Sequence, residues 1–241
     1  MNKLCAFLVL CVVMFTSSCK KDVVEIDSKT YLVSSITTTY PSGSTELKFI
    51  YDDSNRITDL VYGDGAYKYT YNSAGKLAKL AVTLNGVGLH HTLEYEYSAS
   101  AIVLKENLIA AGRVNIFDGE LTAGQVTRLN VDAKNAYIFT YDAKGNLLTY
   151  NEISDGKPYE RATYTYDDKK SPFSMVVGYD SYLFFDSFIQ AYSASNNRVS
   201  TKAPGTETVV YTYNEAGFPV SGVITAANGA VSNVVYKYIV K

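Results

Sequence analysis

Four groups of side chains in this chain could do chemistry, and each also has a plainer use. His90-His91 are its two histidines. Imidazoles hold metals and move protons near neutral pH. Adjacent strand residues point to opposite faces, so within a strand these two could not clamp one ion together. Glu94 and Glu96 stand two apart in an alternating segment, on one face and about 7 Å from each other. Carboxylate pairs that hydrolyse glycosides need about 5 to 10 Å, a distance that any strand with two acids on one face provides. Asp52-Asp53 and Asp167-Asp168 offer oxygen ligands without the spacing or closing Glu of a calcium loop, and read as turn acids. The fourth group is aromatic: Tyr69, Tyr71, Tyr137, Phe139, Tyr141, Tyr211 and Tyr213. These rings are the candidate binding face, since they could stack on sugars; otherwise they pack as the sheet's own core. There is no nucleophile-elbow pattern. The expectation is a non-enzyme with no cofactor and no metal. The alternative is a glycan hydrolase using acids such as Glu94 and Glu96 on a concave face.

The elements that position these residues are written in a repeat. Tyr71-Asn72-Ser73-Ala74-Gly75 recurs as Tyr141-Asp142-Ala143-Lys144-Gly145 and as Tyr213-Asn214-Glu215-Ala216-Gly217. The Tyr closes a strand. The Asp or Asn can bond the backbone two residues on, and the Gly takes the left-handed conformation that releases the next strand. Weaker copies start at Tyr51, Tyr97 and Tyr166, and Asn55 stands at one glycine place. With Phe117 and Tyr238, the anchors fall about 20 to 26 residues apart apart from one double gap, a period of two strands and two turns. Asp64-Gly65, Asn85-Gly86, Asp155-Gly156 and Asn228-Gly229 are dipeptides that close the intervening hairpins. Between turns the residues alternate, as in Tyr67-Lys68-Tyr69-Thr70-Tyr71. The fold class is therefore all-β: a large antiparallel up-and-down meander of about sixteen strands over residues 30–241. So many strands must curl into a half-shell or barrel, with the aromatic rings inside. From Pro172 to Asn197 the rhythm breaks, and Tyr182, Phe185, Phe188, Ile189 and Tyr192 are spaced more like a helix. A short helix or plug near 181–193 would close one mouth.

The N-terminus is a leader. A cationic start, Met1-Asn2-Lys3, precedes the apolar run Leu4–Phe15 and the small residues Thr16-Ser17-Ser18. That run is too short for a permanent spanning helix and has the length of a signal peptide, residues 1–18. Cys5 and Cys11 lie within it, so the mature chain keeps Cys19 alone. Residues 19–29 are polar and form a tether. The formal net charge is −2 with no basic patch, which makes nucleic acid a poor partner.

Two resemblances follow from these residues. Residues 16–19 resemble a bacterial lipobox, with Thr16 where Leu is usual; this implies cleavage before Cys19 and lipidation of Cys19. The Tyr-Asp and Tyr-Asn phrases resemble the tyrosine-aspartate (YD, or Rhs) repeats of bacterial surface proteins and toxin shells. Taken with the lipobox and Lys170-Ser171-Pro172-Phe173, the whole mature chain is similar to a Bacteroidetes family of lipoproteins classed as a domain of unknown function. The resemblance implies an outer-membrane lipoprotein of the cell envelope, exposed at the surface. It would be a β scaffold or ligand-binding module, with the membrane as one partner and a glycan or envelope protein as another. It supplies no catalytic residues. An integral outer-membrane barrel fits poorly, because Lys68, Lys79, Lys105, Arg128 and Lys237 interrupt the strands.

Overall fold

The computed structural model describes residues 29–179, 194–203 and 205–241. The leader, Cys19, the tether up to residue 28 and the segment 181–193 lie outside the described residues. Sixteen strands run in chain order. The first four are β1 Tyr31–Tyr40, β2 Gly43–Tyr51, β3 Ile57–Tyr62 and β4 Gly65–Tyr71. Next come β5 Leu77–Leu84, β6 Gly88–Tyr97, β7 Ala101–Leu108 and β8 Arg113–Thr122. Then follow β9 Gln125–Asn130, β10 Ala136–Tyr141, β11 Leu147–Ser154 and β12 Lys157–Lys170. The last are β13 Asn196–Ala203, β14 Gly205–Tyr213, β15 Pro219–Ala226 and β16 Val231–Val240.

Each strand pairs antiparallel with the next, and β1 pairs with β16, so the meander closes into a barrel. Closure removes the two free edges that a half-shell would expose. Thr30 and Lys241 exchange backbone hydrogen bonds at the seam, so the barrel is complete within the residues described.

The alternation sets which side faces in. One inner row runs Phe49, Leu60, Tyr67, Val82, His91, Leu108, and the next runs Tyr69, Leu80, Leu93, Glu106, Asn115. Sixteen strands in a round barrel usually leave an aqueous lumen. Here the interior holds a core that includes Leu32, Ile36, Leu60, Leu80, Leu93, Leu104 and Leu129, each at most 3% exposed.

After β12, Ser171–Tyr179 packs into one mouth. Phe173 is fully buried, stacks on Tyr179 at 4.3 Å and meets the edge of Phe49 at 5.2 Å. Val177 donates its N–H to Asn55 O at 3.1 Å, and Ser171 donates to Ser195 O. Ser171–Tyr179 thus packs into this mouth, while the helix or plug expected near 181–193 lies outside the described residues.

The outer wall is mixed: it carries charged pairs, and also exposed apolar side chains such as Ile50, Val210, Val223 and Ile239. Lys79 and Lys105 both reach Glu94, at 3.1 and 3.9 Å, and Lys68 reaches Asp59 at 3.6 Å. Such exposed pairs add little stability. A membrane barrel wraps a continuous apolar band around its outside, and on β3–β7 Lys68, Lys79 and Lys105 interrupt any such band.

Candidate functional site: the two mouths of the barrel

The repeat turns all lie at one mouth, and they are built as the residue types required. In each full copy, the Asp or Asn carbonyl accepts from the Gly N–H, and its own N–H donates to the residue after the Gly. Asp142 Oδ1 accepts the N–H groups of Lys144 and Asn146, and Asn72 Oδ1 accepts those of Ala74 and Lys76. Gly75, Gly145 and Gly217 have φ of 76°, 86° and 82°, and Asn55 has 62°. Two repeat positions depart from the expectation. Asp167-Asp168 are not in a turn, because β12 runs on to Lys170 and its chain then enters the plug. Phe117 is a mid-strand residue, and its turn comes at Ala123-Gly124. On the opposite mouth the β3–β4 turn is Gly63-Asp64, one residue before Asp64-Gly65, since Tyr62 pairs with Gly65.

The repeat tyrosines make a contact that sequence reasoning missed. Tyr71 donates its hydroxyl to Ile57 O at 2.6 Å, Tyr166 to Leu147 O at 2.7 Å and Tyr238 to Pro219 O at 2.8 Å. Ile57, Leu147 and Pro219 each open the strand that follows the preceding repeat turn. Tyr51 reaches Val33 O and Tyr141 reaches Val126 O in the same way. Each hydroxyl therefore ties the end of one strand to the start of the strand before it, across the open end of a short hairpin. Its only sequence signal is Tyr rather than Phe at nearly every anchor. Burial pushes the hydroxyls of Tyr51, Tyr71 and Tyr166 far above their ordinary pKa, so they stay donors at any pH the fold survives. Tyr211, also buried, is pushed up to about 12 and donates to Arg198 O.

All seven candidate binding-face residues point into the barrel. Tyr69 is 3% exposed, while Tyr71, Tyr137, Phe139 and Tyr211 are half-buried against the core. Tyr213 donates to the Asp167 carboxylate and Tyr141 to the backbone. Phe139 stacks on Tyr150 at 5.6 Å, with Tyr137 beside them. As placed, these rings support the wall from within.

Turn carboxylates link the fold to pH. Burial raises the Asp142 pKa, but bonds from the Asn146 amide and from the N–H groups of Asn146 and Lys144 outweigh it, and the net shift is downward. A depressed folded pKa adds stability above the unfolded value of about 3.9, and that stability is lost as pH falls through the folded value. Asn72 and Asn214 do the same job without charge. Asp142→Asn is therefore expected to cost about 1 kcal/mol at neutral pH, through one lost acceptor, and to flatten the acid limb below about pH 4. Urea melts at pH 7 and pH 3 check this.

The opposite mouth is formed by the short hairpins and carries the remaining chemistry. His90 and His91 do not point apart. The β5–β6 register slips between Val82 and Thr83, and this bulge leaves His90 unpaired. It brings the two Nδ1 atoms to 2.9 Å. Burial, then the neighbouring His90, hold the His91 imidazole below its ordinary pKa. Among the described residues no group of three or more His, Cys, Asp or Glu could hold a metal. Glu94 and Glu96 correct a second expectation: both lie on the outer wall, where Glu94 is held between Lys79 and Lys105. Inside, Glu106 accepts from Asn115 at 2.7 Å, Arg198 reaches Glu207 at 3.0 Å, and Arg161 pairs with Glu152. A cleft of about 530 Å³ opens at the rim, lined by Thr45, Glu46, Lys48, Tyr62, Asp64 and Tyr67 among others.

Fold and site together define a closed antiparallel β-barrel built from chained YD-type hairpins and packed with side chains. The model of the teneurin YD-shell family matches residues 7–123 of this chain. That span holds the first full repeat, Tyr71–Gly75, while the copies at Tyr141 and Tyr213 lie beyond it and make the same turn. No curated protein matches the chain. Among solved structures, it is similar to a porin-like protein from Bacteroides uniformis at 17% identity and a TM-score of 0.41. That likeness covers 86% of this chain and 98% of the other.

Proposed function

We propose that this is a lipid-anchored protein of the bacterial cell envelope, in which the barrel acts as a rigid, non-enzymatic scaffold for binding a partner. One observation carries the reading: an apolar cluster and the Ser171–Tyr179 segment pack much of the interior, beside polar pairs such as Arg198–Glu207, and charged pairs stand on part of the outer wall. On this reading the barrel neither conducts nor sits in lipid, and partners meet it at its rims and outer wall. The leader and Cys19 supply the anchor, with the outer membrane as its destination. Thr30 lies at the repeat-turn mouth, so the anchored end faces the membrane. The hairpin mouth then faces away, presenting its cleft to an envelope protein or a glycan.

The anchor is tested in cells. Cys19→Ser is expected to abolish fatty-acid labelling and move the protein from the membrane to the soluble fraction. A Cys19→Ser protein that still labels, or stays with the membrane, defeats the reading. The scaffold is tested by screening residues 20–241 against envelope glycans and envelope-protein extracts. Saturable binding without turnover is expected, and glycan hydrolysis would count against it.

A further inference from the structure

We propose that the overhanging edge of β8, Arg113–Phe117, is an interface at which two copies of this chain pair strand to strand. The hairpin β7–β8 stands taller than its neighbour. Strand β8 pairs with β7 from Arg113 to Glu120, whereas β9 ends at Asn130, opposite Asp118. Leu121 donates its N–H to Ser100, on the β7 side. Antiparallel bonding alternates along a strand, so odd-numbered residues of β8 bond to β7 and even-numbered ones face the lane of β9. Asp118 and Glu120 meet β9 there. Val114 and Ile116 do not, and their N–H and C=O groups open onto solvent at the rim.

The barrel's other overhangs are guarded. Strand β12 rises beyond β13, whose pairing reaches only Thr163. Its outward positions are Pro158, which has no N–H, and the charged Glu160, both common guards of an open edge. The free part of β2 carries Glu46. The β8 edge has no such guard. Its outer face shows Val114 and Ile116, 51% and 60% exposed, and Ile109 and Val131 are exposed on the adjoining turns.

A second copy suits this edge because the segment is self-complementary about Asn115. In an antiparallel two-fold pairing, Val114 meets the second copy's Ile116, each such pair exchanging both main-chain bonds, with apolar side chains against each other. On the inner face Arg113 stands opposite the second copy's Phe117, whose ring packs against its own core. No like charges oppose one another. The inference does not depend on the lipid anchor, although anchoring would concentrate copies on one surface and favour a weak contact.

The register makes a specific test. Asn115 faces its own copy in a non-bonded pair, with Cα atoms about 4.5 Å apart, within disulfide range. The chain from Lys20 onward has no cysteine. Asn115→Cys in that chain should give a disulfide-linked dimer on mild oxidation. Sedimentation equilibrium of the parent should show a dimer that grows with concentration, and Ile116→Lys, on the solvent face, should weaken it about tenfold or more. A parent that stays monomeric at the highest soluble concentration overturns the proposal, even if a foreign extended peptide binds this edge. So does a dimer that Ile116→Lys leaves unchanged and Asn115→Cys fails to cross-link.

Discussion

Phe173→Ala is expected to destabilise the barrel by about 3 to 5 kcal/mol, the cost of truncating a well-packed aromatic. The ring is fully buried between Tyr179 and Phe49. Removing it takes away the stacking partner of one ring and the edge contact of the other, and leaves a cavity at the plugged mouth. Val177 and Met175 hold the plug by backbone and sulfur contacts to Asn55 and Tyr31, so the segment cannot simply collapse inward. A domain's whole stability is typically about 5 to 15 kcal/mol, so the loss should lower the urea midpoint severely. A variant that melts within about 1 kcal/mol of the parent would show that the plug is not part of the core.

The second large effect is expected at Gly119, where a side chain has no room. This inner-face residue of β8 lies between Ile102 on β7 and Leu129 on β9. A Cβ there would stand 2.7 Å from Ile102 Cγ2, 3.0 Å from Arg128 O and 3.2 Å from Leu129 Cδ1. Neither the backbone carbonyl nor a branched stem yields cheaply, so Gly119→Ala should cost about 1 to 3 kcal/mol by overpacking. Gly222 is a companion site, since the Tyr211 ring lies over it and a Cβ would come 2.9 Å from that ring. Parent-like melting of Gly119→Ala would mean that the interior is looser than the contacts indicate.

Local turn chemistry was readable from the residues because it depends on few of them. Asp142 with Gly145, and Asn72 with Gly75, carry both halves of the turn within four positions, and alternation between turns sends Tyr69 inward and Lys68 outward. What was hidden depends on partners far along the chain. Closure rests on Tyr31–Thr39 meeting Asn233–Val240, and nothing in either strand announces the other. The hydroxyl links from Tyr71 to Ile57 and from Tyr238 to Pro219 are likewise invisible to periodicity, which treats Tyr and Phe alike. A one-residue slip at His90 reversed the expectation for the histidine pair. The outward placement of Glu94 and Glu96 needed the inner row through Leu93 and Tyr95 to be known first. Asp167 looks like another repeat turn, yet β12 carries on through it. There the Asp bonds Asn197 and Tyr213 instead of closing a hairpin.

The most direct test of the filled, water-facing barrel is a thermal melt of residues 20–241 followed by circular dichroism in detergent-free buffer. A packed apolar core and the charged pairs on the outer wall predict a β-sheet spectrum without any amphiphile and a single cooperative transition. A chain that aggregates in buffer and gains its β-sheet signal only in micelles or bilayers would contradict the account, because its apolar face would then have to be on the outside.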